Sequence, residues 1–89
     1  MTERELTIVN RLGLHARAAA QFVRVAGHYG CEVRIRHGER EADGKSIMGV
    51  MMLAASVGSR VTVSTDGEDE DEALEALTRL VADRFGEEA

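Results

Sequence analysis

Residues 31–43 read CEVRIRHGEREAD. Cys31, Val33 and Ile35 alternate with Glu32, Arg34 and Arg36, the period-two pattern of a strand with one buried face and one wet face. His37-Gly38-Glu39 makes a short turn, and a weaker strand follows at about 40–43. The same half-and-half pattern recurs on both sides. Leu6, Ile8 and Asn10 alternate with Glu5, Thr7 and Val9 around a strand at about 4–9. Val61 and Val63 alternate with Arg60, Thr62 and Ser64 in a fourth strand. Four strands that each keep a polar face need helices on the other face only.

Three helical segments supply that cover. Residues 16–27 are rich in Ala, with Ala19, Phe22, Val23 and Ala26 at helical spacing and Gly27 and Gly30 at the exit. Asp43-Gly44-Lys45 turns into Ser46, an N-cap type, ahead of a short helix at about 47–53. Of Ile47, Met48, Met51 and Met52, half or more are expected in the core. Ala73, Leu74, Leu77, Leu80, Val81 and Phe85 form the stripe of a last helix at about 69–85, with Gly86 as its C′ residue. The order is βαββαβα. The expected fold is α+β: an open-faced two-layer sandwich, a four-stranded antiparallel sheet with three helices on one face. Thr7, Glu32, Arg34, Arg36, Thr62 and Ser64 are expected on the open face. Residues 1–89 read as one domain without repeat, linker or proline.

Composition narrows the function. Apolar residues make up 44%, but twelve are Ala and only 3% of the chain is aromatic, so the core is small and aliphatic. No apolar run approaches the roughly 20 residues that cross a bilayer, and the first ten residues lack the pattern of a signal peptide. A cytoplasmic protein without membrane insertion is the simplest expectation. The net charge of −5 argues against general nucleic-acid binding. Residues 1–65 carry nine Lys/Arg against six Asp/Glu, whereas residues 66–89 carry two against ten. The basic part could receive an anionic ligand; the acidic run Glu68–Glu72 reads as a solvated first helical turn.

The chemistry concentrates in Gly13-Leu14-His15-Ala16-Arg17-Ala18-Ala19-Ala20. His15 stands where a glycine loop meets a helix start. The first-turn amides of Ala16, Arg17 and Ala18 have no intrahelical partner and would face an anion near the ring. The Arg17 guanidinium can hold phosphate oxygens in a fork. An imidazole must be uncharged to attack phosphorus, and a helix N-terminus disfavours the imidazolium form. A lone surface histidine at a helix start can equally be without function. No general base and no magnesium-binding cluster accompanies it, so the pattern suits a carrier more than a self-sufficient enzyme.

NRLGLHARAAAQFV (residues 10–23) resembles the active-site stretch of HPr, the histidine phosphocarrier family of the bacterial phosphotransferase system. DGKSIMGVMMLAASVGS (residues 43–59) resembles that family's segment around a regulatory serine, and the element order matches too. The resemblance implies that His15 accepts a phosphoryl group on Nδ1 from phosphorylated enzyme I, itself charged from phosphoenolpyruvate. His15 would then pass it to a downstream sugar-specific or regulatory protein. It implies that Arg17 neutralises the phosphate, and that Ser46 is a target for a serine kinase and phosphatase. It also implies that Ala20, Arg24, Ile47, Met48 and Met51 ring His15 and bind partners. No cofactor or metal is implied, and nothing demands more than a monomer. Where the family has proline after the arginine, this chain has Ala18. That departure leaves open a regulatory interaction module, of nitrogen type or in carbon-catabolite control, with little sugar-transport flux.

Three further residues allow other readings. His28, His37 and Cys31 could suggest a metal site with His15, but closed zinc sites need four compatible ligands. Exposed loop positions for both histidines and a core position for Cys31 are expected. Arg34 and Arg36 on the open face could meet nucleic acid, but no aromatic residue there would stack a base.

Overall fold

The computed structural model describes residues 1–89. Its elements are β1 (Thr2–Thr7), α1 (Ala16–Ala26), β2 (Glu32–His37), β3 (Arg40–Asp43), α2 (Ile47–Met51), β4 (Arg60–Asp66) and α3 (Glu70–Ala82), with a 3-10 turn over Arg84–Gly86. The four strands form one antiparallel sheet in the order β1-β4-β2-β3. This is the open-faced α+β sandwich expected from the alternation.

Register follows from which side chains must be buried. Ile35 lies opposite Val63 and Ala42, and Val33 lies opposite Thr65, so the inward residues of the central strands stack in rows. Arg34 lies opposite Ser64 and Asp43, and Arg36 opposite Thr62 and Glu41, so the outward residues do the same. All six residues expected on the open face are exposed or half-buried. On that face Arg34 pairs with Glu41 at 2.8 Å.

The helices complete the core. α3 packs on β1 and β4, α2 on β3, and α1 on both other helices. Ala18, Ala19 and Ala26 of α1 are fully buried, and their small side chains let the layers approach; Phe22 fills the space between. The chain passes so close at Gly44 that an added Cβ would lie 2.5 Å from Val33 Cγ1 and 3.1 Å from Phe22 Cε1. Cys31 is buried as expected, and burial, followed by the nearby Asp69 carboxylate, pushes its thiol pKa up.

Several boundaries differ from expectation. β1 ends at Thr7 rather than about residue 9, because Ile8 bonds to the loop before β4: its N–H donates to Ser59 O and its carbonyl accepts from Gly58 N–H, both at 2.8 Å. α3 ends at Ala82, not 85. Arg84, Phe85 and Gly86 then take φ values of +56°, +56° and +81°, and this left-handed hook carries Phe85 back into the core. α2 stops at Met51, and its core residue is Val50; Leu53 follows in the next turn. None of Ile47, Met48, Met51 and Met52 is buried, contrary to expectation; only Met51 packs partly on the core. A helix of five residues has one inward turn to offer. His37 also differs: it is half-buried at the end of β2, with Nδ1 2.9 Å from Leu53 O. No helix is long and apolar enough to cross a membrane.

Candidate functional site

His15 is the N-cap of α1, with extended backbone at φ −74° and ψ −179°. Two features of the sequence put it there. Gly13 adopts φ +69° and lies against the backbone of Ala55 and Ser56, where a Cβ would collide. Leu14 N–H donates to Ala55 O at 2.9 Å, and the Leu14 side chain is buried, so the loop is fixed on both sides of the turn. The chain then enters a helix whose first bond runs from Ala19 N–H to His15 O at 2.9 Å.

The ring is gripped at both nitrogens. Arg17 N–H donates to Nδ1 at a long 3.3 Å. A backbone amide can only donate, so Nδ1 is the acceptor and the neutral ring holds its proton on Nε2; the tautomer is assigned by that network. Nε2–H then donates to Glu87 Oε2 at 2.5 Å. The three first-turn amides are therefore not alike in the unphosphorylated chain. The Arg17 amide already serves Nδ1, while the amides of Ala16 and Ala18 donate to no protein group. The side chain of Ala18 is fully buried, so only its backbone faces the first turn.

Glu87 was not visible as a site residue in the sequence. Its carboxylate is held from two sides, since Asn10 Nδ2 donates to Oε1 at 3.0 Å while the His15 ring holds Oε2. Its pKa lies below the ordinary glutamate range. Burial alone would raise it, but the hydrogen bonds from Asn10 and His15, with the nearby positive charge of Arg17, outweigh that effect. Asn10 is fully buried and also donates to Gly13 O at 2.8 Å, linking the glycine loop to the carboxylate. The one hint in the sequence was that Asn10 falls on the buried phase of Leu6 and Ile8. Glu87 lies 72 residues from His15, and no local pattern joins the two.

Around the ring lies an open basin of about 830 Å³ lined by Arg11, Leu12, His15, Ala16, Arg17 and the segment Gly86–Ala89. Arg17 and Arg11 are exposed and form no ion pair. His15 itself is 29% exposed at its side chain. The chemistry available is a lone pair on Nδ1, two unspent amides, and a free guanidinium at the mouth of a basin. That combination suits attack on an electrophile that carries negative oxygens.

The other sequence-nominated residues lie outside this grip. Ser46 is half-buried and caps α2, its Oγ accepting Gly49 N–H at 3.1 Å. Ala20 is exposed, and Arg24 is exposed but bonds back to Gln21 at 2.6 Å. Ile47 and Met48 are exposed, at 43% and 67%, whereas Met51, expected among the exposed members, is half-buried. Leu12, at 67% exposed, adds an apolar residue beside the basin that the sequence did not single out.

Comparison with known proteins bears on this geometry. Residues 2–83 match the family model described as PTS HPr component phosphorylation site. The chain is 61% identical over 84 residues to Phosphocarrier protein HPr of Pseudomonas aeruginosa, covering 93% of each chain. It is 55% identical over 87 residues to Phosphocarrier protein HPr of Cupriavidus necator, covering 98% of each. Among solved structures, HPr-C-His from Thermoanaerobacter tengcongensis superposes with a TM-score of 0.95 at 42% identity, covering 100% of both chains.

Proposed function

The chain belongs to the HPr family of phosphocarriers of the phosphotransferase system, and from that premise we propose that His15 is its phosphoryl acceptor. The observation that carries the reading is the state of Nδ1: a lone pair at a helix start, beside unspent amides and a free guanidinium. Phosphorylated enzyme I presents the phosphoryl group. The Nδ1 lone pair attacks phosphorus as the donor's bond to phosphorus breaks, and the donor leaves with that electron pair. Arg17 N–H releases Nδ1 and turns to a phosphoryl oxygen, joined by the amides of Ala16 and Ala18. The Arg17 guanidinium neutralises the new charge. Transfer onward to a sugar-specific or regulatory acceptor reverses these events. No cofactor takes part, because phosphoryl transfer of this kind rests on positioning and charge.

Ala20, Arg24, Ile47, Met48 and Met51 form the proposed docking surface, with Leu12 at the mouth of the basin. Exposed methionine suits a surface that meets several partners, because its side chain repacks readily. Ser46 lies at the start of α2, next to that surface in sequence, and is the proposed site of kinase control. On this reading the chain works as a monomer in the cytoplasm.

The test is incubation with enzyme I and phosphoenolpyruvate. An acid-labile, base-stable phosphate that disappears in His15→Ala is the expected result. An adduct that survives that substitution removes His15 from the role. A native protein that takes up no phosphate favours a regulatory interaction module instead.

A further inference from the structure

We propose that Glu87 is the charge partner of the His15 ring in phosphoryl transfer, and that buried Asn10 is the residue that positions it. The inference rests on the phosphocarrier reading and deepens it. Glu87 is only 10% exposed at its side chain, although it lies in the acid-rich last part of the chain, residues 66–89. Both of its oxygens are committed, Oε1 to Asn10 and Oε2 to His15.

The way Asn10 is used supports a positioning role. Its side chain is fully buried on the phase of the core residues Leu6 and Ile8. It spends both amide hydrogens, one on Gly13 O and one on Glu87, and leaves Oδ1 buried without a partner. A buried oxygen without a partner is costly. That cost is borne where one amide ties the loop before His15 to the carboxylate behind it. The hook at Arg84–Gly86 brings Glu87 into reach, because left-handed backbone at three successive residues turns the chain back after α3.

The chemical consequence follows from electron bookkeeping at the ring. Neutral His15 carries its proton on Nε2. When Nδ1 bonds phosphorus, the ring becomes an N-phosphoimidazolium; the Nε2 proton stays where it is, and the positive charge is new. The Glu87 carboxylate stands next to that proton and neutralises the charge as it forms. On donation, the electrons of the phosphorus–Nδ1 bond return to the ring, which leaves as neutral imidazole with Nε2–H still bound to Glu87. No proton moves in either direction; the carboxylate lowers the barrier to accepting phosphate and stabilises the phosphorylated ring from which donation starts. A carboxylate behind an imidazole has the same effect in serine hydrolases, where it stabilises imidazolium without taking its proton.

Glu87→Gln retains an oxygen that accepts Nε2–H and removes the charge, whereas Glu87→Ala removes both. Single-turnover transfer from phosphorylated enzyme I is measured across enzyme I concentrations. Glu87→Gln is expected to lower the limiting rate about tenfold with an unchanged half-saturating concentration, as for a lost charge-assisted contact in the transition state. A native limiting rate overturns the proposal, and so does a change in half-saturation alone. NMR of the unphosphorylated full chain gives a second readout. The Nε2 proton of His15 is expected to exchange slowly in the native protein and to be lost to rapid exchange in Glu87→Ala. Equal exchange in both overturns the proposal. Native protein that takes no phosphate sinks the carrier reading itself, whereas native protein that transfers no faster than Glu87→Gln sinks only the role of Glu87.

Discussion

The carboxylate of Asp69 accepts the N–H of Cys31 at 3.0 Å, tying the start of α3 to the entry of β2 across 38 residues of chain. Its other oxygen accepts Gly30 N–H at 2.9 Å. Asp69 stands at the N-cap position yet makes no side-chain cap bond to its own helix. The acidic run therefore includes a tertiary tie, and it is more than a solvated first turn.

The tie makes stability depend on acid. Gly30 N–H, opposed by burial and joined by Cys31, holds the Asp69 carboxyl below the ordinary aspartate range. A depressed carboxyl stabilises the fold fully above its unfolded value of roughly 3.9, and the stabilisation is lost as pH falls through the lower folded value. Asp69→Asn is expected to be less stable than the native chain at pH 7, with the difference shrinking towards pH 2. Urea unfolding at the two pH values checks it, and a constant difference contradicts it.

Gly13→Ala is expected to damage both stability and the site. The new Cβ would stand 2.5 Å from Ala55 O and 2.9 Å from Ser56 Cα, both backbone atoms that cannot rotate away, at φ +69°. Strain and displacement together should cost at least about 2 kcal/mol in urea unfolding. The same shift would disturb Asn10 Nδ2 on Gly13 O and Leu14 N–H on Ala55 O. Phosphate uptake by the folded fraction is therefore expected to fall as well; native uptake would show that the loop before His15 tolerates movement.

Ala18→Pro tests the departure from the family pattern. Ala18 is the third residue of α1, and its amide donates to nothing in the protein, so proline there removes no hydrogen bond. Proline also restricts the unfolded chain. Against this, its ring must fit where Ala18 is fully buried, and it disfavours helical backbone at Arg17. The opposing effects are expected to leave stability within about 1 kcal/mol of native, by thermal unfolding. A loss of several kcal/mol would mean that the space around Ala18 cannot admit the ring.

The sheet was legible because its signal is local. Val33 and Ile35 alternating with Arg34 and Arg36 state which face is wet without reference to any distant residue. His15 and Arg17 were legible for the same reason, being two residues apart at a helix start. The end of α3 was not, because the stripe through Val81 to Phe85 looks continuous on a helical period, yet the backbone turns left-handed at Arg84 and Phe85 and still buries Phe85. The exposure of Ile47, Met48 and Met52 is not legible, because period alone cannot say that α2 has a single inward turn. Glu87 is not legible in the sequence because its partners, Asn10 and His15, lie more than seventy residues away.

Ser46 separates a structural from an electrostatic role. Its Oγ accepts Gly49 N–H at 3.1 Å, so Ser46→Ala removes the cap of α2 and should cost about 1 kcal/mol. Aspartate caps a helix about as well as serine, so Ser46→Asp should keep near-native stability in the same urea measurement. It also places a negative charge directly before the exposed Ile47 and Met48, where an apolar partner surface would have to desolvate it. Phosphate uptake from enzyme I is therefore expected to weaken in Ser46→Asp and to remain near native in Ser46→Ala, the reverse of the order in stability. Equal losses of uptake in both variants would trace the effect to the shape of α2 and not to charge, and would remove the electrostatic basis for control at Ser46.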